Sequence, residues 1–445
     1  MKATLLEGNT RRQLIMLALP LLIGNILQLL YNTVDSLIIG NMLGTNAFSA
    51  VGVAGSVMNL FIFVLNGFCT GISVIFAQMY GRGDRAGFRR EVFISVILGA
   101  GITLTLSALF MALLNPLLRL INSPEILIPD IAAYLTVIIG GMIATFFYNL
   151  FSGILRAIGD TAAATWFLFI SVVMNAALDY VFIGMLDSGV RGAAWATVIS
   201  QVFSAACCLI YLLKKDRDLM CTFRDARFEG ALVKKTLSFG FSTALHQSSL
   251  YIGKIFVQGA VNSIGMAGVA AYTATMRIEG FANSFGTSYG QAVSVFISQN
   301  WGGGKKERVR EGFRKGISMA VCLGAVFSAA MAAVAVPGMR IFLKAEETQA
   351  ILFGTQYMRA IAIFYIMCFT GNVFMGYFRG IGKVYVPLCL TTMHICIRAC
   401  LSYAWAPSMG LRAIAYATGC GWICMTLAQV IIYAVIAKRE FTVKK

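Results

Sequence analysis

The chain has 445 residues, 58% hydrophobic and 12% charged, with a mean hydropathy of +0.78 and a formal net charge of +17. A soluble domain carries about 25% charged residues, and a disordered chain lacks apolar runs, so both classes are excluded. Apolar runs of roughly 20 residues recur along the whole length, each long enough to cross a bilayer as a helix, so the expected fold is an all-α polytopic membrane protein.

The opening "MKATLLEGNTRRQLIMLALPLLIG" imitates a signal peptide, but its apolar stretch continues past Leu30 without a small-x-small cleavage site, so a retained first span is expected. Twelve spans are predicted, at 14–40, 47–78, 92–115, 131–155, 162–185, 191–213, 236–262, 268–300, 316–338, 349–376, 384–406 and 411–437. The second and eighth are overlong and are expected to tilt or protrude. Lys and Arg concentrate in the segments on the N-terminal side of the membrane, which predicts a multi-pass cell (plasma or inner) membrane protein with both termini cytoplasmic. The basic stretches "KKDRDLMCTFRDARFEGALVKK" (214–235) and "GGGKKERVREGFRK" (302–315) then face anionic lipid, and no nucleic-acid partner is needed. The second lacks the Gly-Lys-Ser/Thr ending of a phosphate-cradling loop. The eleven cysteines, all but Cys221 in predicted spans, read as packing residues. The i, i+4 pairs Cys396/Cys400 and Cys420/Cys424 lack a His or carboxylate to complete a metal site.

The two halves repeat. "NLFSGILRAIGD" (149–160) matches "NVFMGYFRGIGK" (372–383), "GVRGAAWAT" (189–197) matches "GLRAIAYAT" (410–418), and "AQMYGRG" (77–83) matches "SQNWGGG" (298–304). Pro116 and Arg119 match Pro337 and Arg340. This predicts two six-helix bundles of equal orientation, an N-lobe over 1–213 and a C-lobe over 236–445, joined by the loop 214–235. Parallel repeats of this kind characterise transporters, with a central cavity between rocking lobes.

An ionisable residue at membrane depth is costly and usually functional. Asp35 lies near the outer end of the first span. Asn175 and Asp179, at i, i+4 in "VVMNAALDYVFIG", share a face near the outer end of the fifth. Thr197 enters the sixth span and Tyr134 the fourth at similar depth, about 8–10 Å below the outer surface at ~1.5 Å per residue. Two carboxylates, an amide oxygen and two hydroxyls suit either a sodium ion or a shared proton. The C-lobe does not repeat the set. At the repeat offset Asp179 maps to Cys400, Asn175 to Cys396 and Asp35 to Phe256. It carries instead Lys254, Glu279 and Arg398, with Lys254 and Glu279 expected to form an ion pair, and His246, expected to be a hydrogen-bonded packing residue.

Together, "LALPLLIGNILQLLYNTVDSLIIGNMLG", "VGVAG", "GISVIFAQMYGRGD", "ILRAIGDT", "MNAALDYVFI" and "GAAWAT" make the chain similar, over essentially its whole length, to the multidrug and toxic compound extrusion (MATE) family, and within it to the DNA-damage-inducible and archaeal-type branch. The resemblance implies a twelve-helix, two-lobe antiporter. It places the coupling site at Asp35, Asn175, Asp179 and Thr197 with Tyr134 in support, cavity-lining polar residues at Gln28 and Asn149, and a bend of the first helix at Pro20. The sodium-coupled branch carries a Glu on the seventh helix, where this chain has His246, and an Asp on the tenth, where "AIFYIMCFTGNVF" has no acid, so coupling is expected in the N-lobe.

The function expected is secondary active export of amphiphilic, cationic organic compounds in exchange for H+ or Na+, by a monomer that needs no cofactor. The Met- and Phe-rich walls would give adaptable packing. Lys254, Glu279, His246 and Arg398 are the C-lobe candidates for lining the substrate cavity. The alternative is a flippase of lipid-linked saccharides, which would gather Lys254, Arg277, Arg359 and Arg398 around a pyrophosphate. An enzyme is not expected, because no metal-ligand cluster, nucleophile–base pair or cofactor motif occurs.

Overall fold

The computed structural model describes residues 5–120, 124–222 and 225–441; residues 223 and 224 of the connecting stretch and the last four residues lie outside the described part. The described residues are helical, with no strand among them. The first two predicted spans form one helix, α1 (Thr10–Arg82), of 73 residues. At ~1.5 Å per residue this is about 110 Å, more than three hydrocarbon thicknesses, so it must break to cross twice. It breaks at Gly44, where φ 84° and ψ −175° put the backbone in a region open to glycine and costly for other residues.

The remaining helices follow in order: α2 (Arg85–Ala112), α3 (Leu114–Leu120), α4 (Ile128–Gly140), α5 (Met142–Ala157), α6 (Thr161–Asp179), α7 (Gly189–Lys215), α8 (Gly230–Asn262), α9 (Met266–Gly302), α10 (Lys306–Ala333), α11 (Ala335–Phe342), α12 (Thr348–Ala362), α13 (Tyr365–Gly380), α14 (Tyr385–Met409) and α15 (Leu411–Phe441). The predicted fourth and tenth spans are not straight. α4 and α5 meet at 46°, and α12 and α13 at 55°. The first bend falls at Gly141, where an added Cβ would lie 2.3 Å from Val198, so the break lets α7 come close. Counting each bent pair once, α1 twice, and α2–α3 and α10–α11 as single spans gives the expected twelve.

The helices pack as two compact units, residues 23–244 and residues 5–22 with 245–441. The boundary expected from the repeat follows chain order, whereas packing crosses it. The start of α8 belongs to the first unit, where Thr236 Oγ1 (2.9 and 3.0 Å) and Ser95 Oγ (3.1 Å) lie on the fully buried carboxyl of Glu91.

The duplication is written in the backbone. Left-handed glycines recur as the pairs Gly44/Gly265, Gly83/Gly304, Gly159/Gly382 and Gly189/Gly410, with closely matched φ within each pair. Within each unit small residues let helices approach, because lipid is as apolar as leucine and packing rather than the hydrophobic effect holds membrane helices together. A Cβ on Gly71 of α1 would fall 2.2 Å from Phe239 O, and one on Gly376 of α13 only 2.3 Å from Gly290 O. The repeat partner of Gly376 is Gly153, whose added Cβ would meet nothing nearer than 3.8 Å.

Asp160 caps α6 through Ala163 N (3.2 Å) and takes hydrogen bonds from Lys215 Nζ (2.6 Å) and Tyr211 Oη (2.9 Å). Burial pushes its pKa up, but the bonds from Lys215, Tyr211 and Ala163 outweigh burial and hold it below the ordinary carboxylate value.

Two outcomes follow for thermal unfolding of purified variants. Gly376→Ala loses about 1–3 kcal/mol to overpacking, whereas Gly153→Ala is neutral or gains up to ~1 kcal/mol from helix propensity; equal effects at the two sites contradict the packing. Because the Asp160 pKa is depressed in the fold, its stabilisation is present above the unfolded value near ~3.9 and is lost as pH falls through the folded one. The stability gap between wild type and Asp160→Asn at pH 6 therefore narrows once pH drops below about 4.

Candidate functional site

The site lies in the first unit, built from α1, α4, α6 and α7. Asp35 on α1 is 8% exposed, and Asp179, the last residue of α6, is fully buried. Their carboxyls lie within hydrogen-bonding reach of each other. Neither can donate as a carboxylate, and Asp35 Oδ1 and both oxygens of Asp179 accept no hydrogen bond from any described residue. Two acceptor-only groups thus face each other with no donor between them. Such an arrangement is costly unless a proton or a metal cation joins them.

The wall around the pair is made of oxygens. Thr197 Oγ1 on α7 accepts from Tyr31 Oη (3.1 Å) and, at longer range, from Asn175 Nδ2 (3.5 Å). With Nδ2 turned to Thr197, the acceptor end of the Asn175 amide is its Oδ1. Tyr134 of α4, 3% exposed, brings its hydroxyl to Thr197 and the two aspartates. Ser171 Oγ donates to Ser200 O (3.1 Å) across from α6 to α7, and Ser200 Oγ donates to Thr197 O (2.8 Å) within α7. Carboxylate, amide and hydroxyl oxygens form a hard-donor set suited to a hard cation.

The structure therefore brings Asp35, Asn175, Asp179, Thr197 and Tyr134 together, and adds two features that sequence reasoning missed. Tyr31 stands four residues before Asp35, one helical turn away on the same face, a spacing that could have flagged it. Directly after Asp179 the helix widens into a π-helical turn, Tyr180–Met185, closed by Leu186 N to Val181 O (3.0 Å). Such turns favour functional sites; no residue pattern in this stretch announces one. Gln28 is exposed on α1, and Asn149 bonds its own helix through Thr145 O (2.8 Å); no described hydrogen bond joins either to the cluster. Pro20 sits within α1, three residues before the first unit begins.

The second unit is arranged differently from the expectation. Lys254 is exposed, and no described ion pair joins it to Glu279. Glu279, 7% exposed, is influenced more strongly by Arg398 of α14 than by Lys254, and Arg398 Nη2 also donates to Tyr272 Oη (3.2 Å). The expected pair does not form because Lys254 stays exposed on α8 while Glu279 is buried on α9. His246 is buried, with Nε2 3.0 Å from Thr391 Oγ1, as a packing histidine would be.

With this geometry in hand, the comparisons can be weighed. The MatE family model matches the chain twice, over residues 20–181 and 243–404, so the family unit is itself the repeat. The probable multidrug resistance protein YpnP of Bacillus subtilis is 28% identical over 432 residues, 96% of this chain and 95% of its own. The probable multidrug resistance protein NorM of Thermotoga maritima is 27% identical over 394 residues, 86% and 83% of the two chains. A solved structure of MATE in the bent conformation shares the fold with a TM-score of 0.92 over 99% of both chains at 24% identity. An outward-facing multidrug resistance MATE family transporter of the MOP superfamily gives 0.90 over 98% of both at 23%. A chain whose two halves each match the family model, and whose relatives span nearly its full length, is a multi-pass membrane transporter belonging to the MatE family.

Proposed function

We propose that this chain is a secondary active antiporter of the cell membrane. It would export amphiphilic, cationic organic compounds in exchange for H+ or Na+, with the cation loading at Asp35 and Asp179. The observation that carries this reading is the pair of buried, facing carboxyls, of which Asp35 Oδ1 and both oxygens of Asp179 find no donor among the described residues. Small-molecule cargo and the export direction are supported by the relatives named as probable multidrug resistance proteins. The cytoplasmic placement of both termini rests on the distribution of Lys and Arg.

A proton shared between the two carboxyls would remove their mutual repulsion. A sodium ion would do so by gathering Asp35, Asp179, Asn175 Oδ1 and the hydroxyls around Thr197. Because Asp35 rides on α1 while Asp179, Asn175 and Thr197 ride on α6 and α7, cation loading draws α1 toward those helices, and Pro20 gives α1 a place to bend, since proline removes one helical hydrogen bond. Coupling requires that the cation bind one state of α1 more tightly than the other; a tenfold difference is worth about 1.4 kcal/mol. The flippase alternative draws no support from the second unit, where Lys254, Arg277 and Arg359 are exposed and only Arg398 is partly buried.

The test is efflux of a lipophilic cation from liposomes holding the full chain, with sodium and pH gradients imposed separately. One gradient drives wild-type efflux, and Asp35→Asn and Asp179→Asn each reduce the driven component at least tenfold. Driven efflux unchanged in Asp35→Asn defeats the proposal. Tyr31→Phe removes one hydrogen bond to Thr197, worth about 1 kcal/mol. It therefore raises the cation concentration for half-maximal efflux by about fivefold and leaves the maximal rate intact; a fall in maximal rate alone would mark Tyr31 as merely structural.

A further inference from the structure

The second unit contains a cavity that the coupling reading does not use. It measures about 520 Å³ and lies between the first turns of α1 and the middle of α9 and α10, within the ~300–1,000 Å³ range of small-molecule sites. Its walls are apolar, with Ile15, Leu19, Phe285 and Met319 among them, and its single charged lining residue is Arg11. Arg11 is exposed and makes no ion pair among the described residues. The acids of the first two turns of α10, Glu307 and Glu311, are not among the residues lining the cavity, and Glu311 is paired with Lys315. Three further polar residues, Ser288, Tyr289 and Ser318, line the cavity. Tyr289, 4% exposed, buries its hydroxyl in the wall with no hydrogen-bond partner among the described residues.

A buried hydroxyl left without a partner forfeits about 1–3 kcal/mol, and an unpaired guanidinium at the mouth of an apolar slot presents a fork that fits phosphate. We propose that this cavity binds one anionic phospholipid. The acyl chain lies along the apolar wall, the phosphate sits on Arg11, and an oxygen of the glycerol ester region accepts from Tyr289 Oη. A zwitterionic lipid could fill the same walls, but its own ammonium competes with Arg11 for the phosphate. Charge complementarity therefore selects the anionic headgroup. Because Ala18, Leu19 and Leu22 of the lining flank Pro20, the lipid packs on the stretch of α1 where the helix can bend. The site is independent of the carboxyl pair, which lies in the other unit.

The test is native mass spectrometry of the delipidated full chain titrated with phosphatidylglycerol or with phosphatidylcholine. Wild type is expected to retain one phosphatidylglycerol at least fivefold more tightly than phosphatidylcholine. Arg11→Gln, at an exposed position, abolishes that preference. Tyr289→Phe weakens both lipids about threefold, and Cys322→Trp, which fills the cavity, reduces both. Equal retention of the two lipids by wild type overturns the proposal. So does an Arg11→Gln chain that keeps the preference, or loss on Arg11→Gln with Cys322→Trp unchanged, which would put the lipid elsewhere on the surface.

Discussion

Two carboxyls that face each other in a low-dielectric interior, with no donor supplied, set the terms for the rest of the first unit. Two like charges buried side by side repel each other and resist double ionisation, so the pair is stable only where a proton or a cation offsets that repulsion. α6 and α7 are tied together by the hydroxyls of Ser171 and Ser204, which donate to Ser200 O and Phe167 O of the opposite helix. Asp179, Asn175 and Thr197 are thereby fixed on one rigid wall. Asp35 sits on α1, a helix already interrupted at Gly44 and weakened at Pro20. The site thus joins one helix that carries a proline and a glycine break to two helices bonded to each other.

The duplication explains the scaffold and leaves the chemistry asymmetric. The bent pairs α4–α5 and α12–α13, the left-handed glycines and the Asn-x3-Gly-x2-Arg motif recur in both units, and Asn149 and Asn372 even make the same bond to the carbonyl four residues back. Yet at the repeat offset Asp35, Asn175 and Asp179 of the first unit become Phe256, Cys396 and Cys400, all exposed. The second unit holds instead a single buried acid, Glu279, with the tyrosines 272 and 357 and Arg398 around it. One half of the duplicated fold thus buries two facing carboxyls, and the other buries an acid beside an arginine.

Much of this was readable before any coordinates. Apolar run lengths gave the spans, and the repeat gave the halves. Equal depth along helices of known direction brought five residues from four helices into one site, because position along a straight helix converts directly to height in a bilayer. What stayed hidden depends on azimuth and backbone detail. The turn of Lys254 away from Glu279 depends on how α8 is rotated and on where α14 packs, which depth alone does not specify. The bend near Ile363 has no glycine or proline to mark it, and the π turn after Asp179 arises from "YVFIGM", residues equally at home in an α-helix. Tyr31 was within reach, since i, i+4 spacing to Asp35 is a sequence property, but an apolar-looking tyrosine in a span draws no notice beside an aspartate.

A cation joining Asp35 and Asp179 would be read directly by infrared difference spectroscopy of the purified chain. On a step in sodium concentration or in pH, a carboxyl band is expected to shift. That shift is expected to vanish in both Asp35→Asn and Asp179→Asn while the amide bands keep their wild-type form. A band that shifts identically in wild type and in both variants, or no carboxyl change under either step, would contradict it.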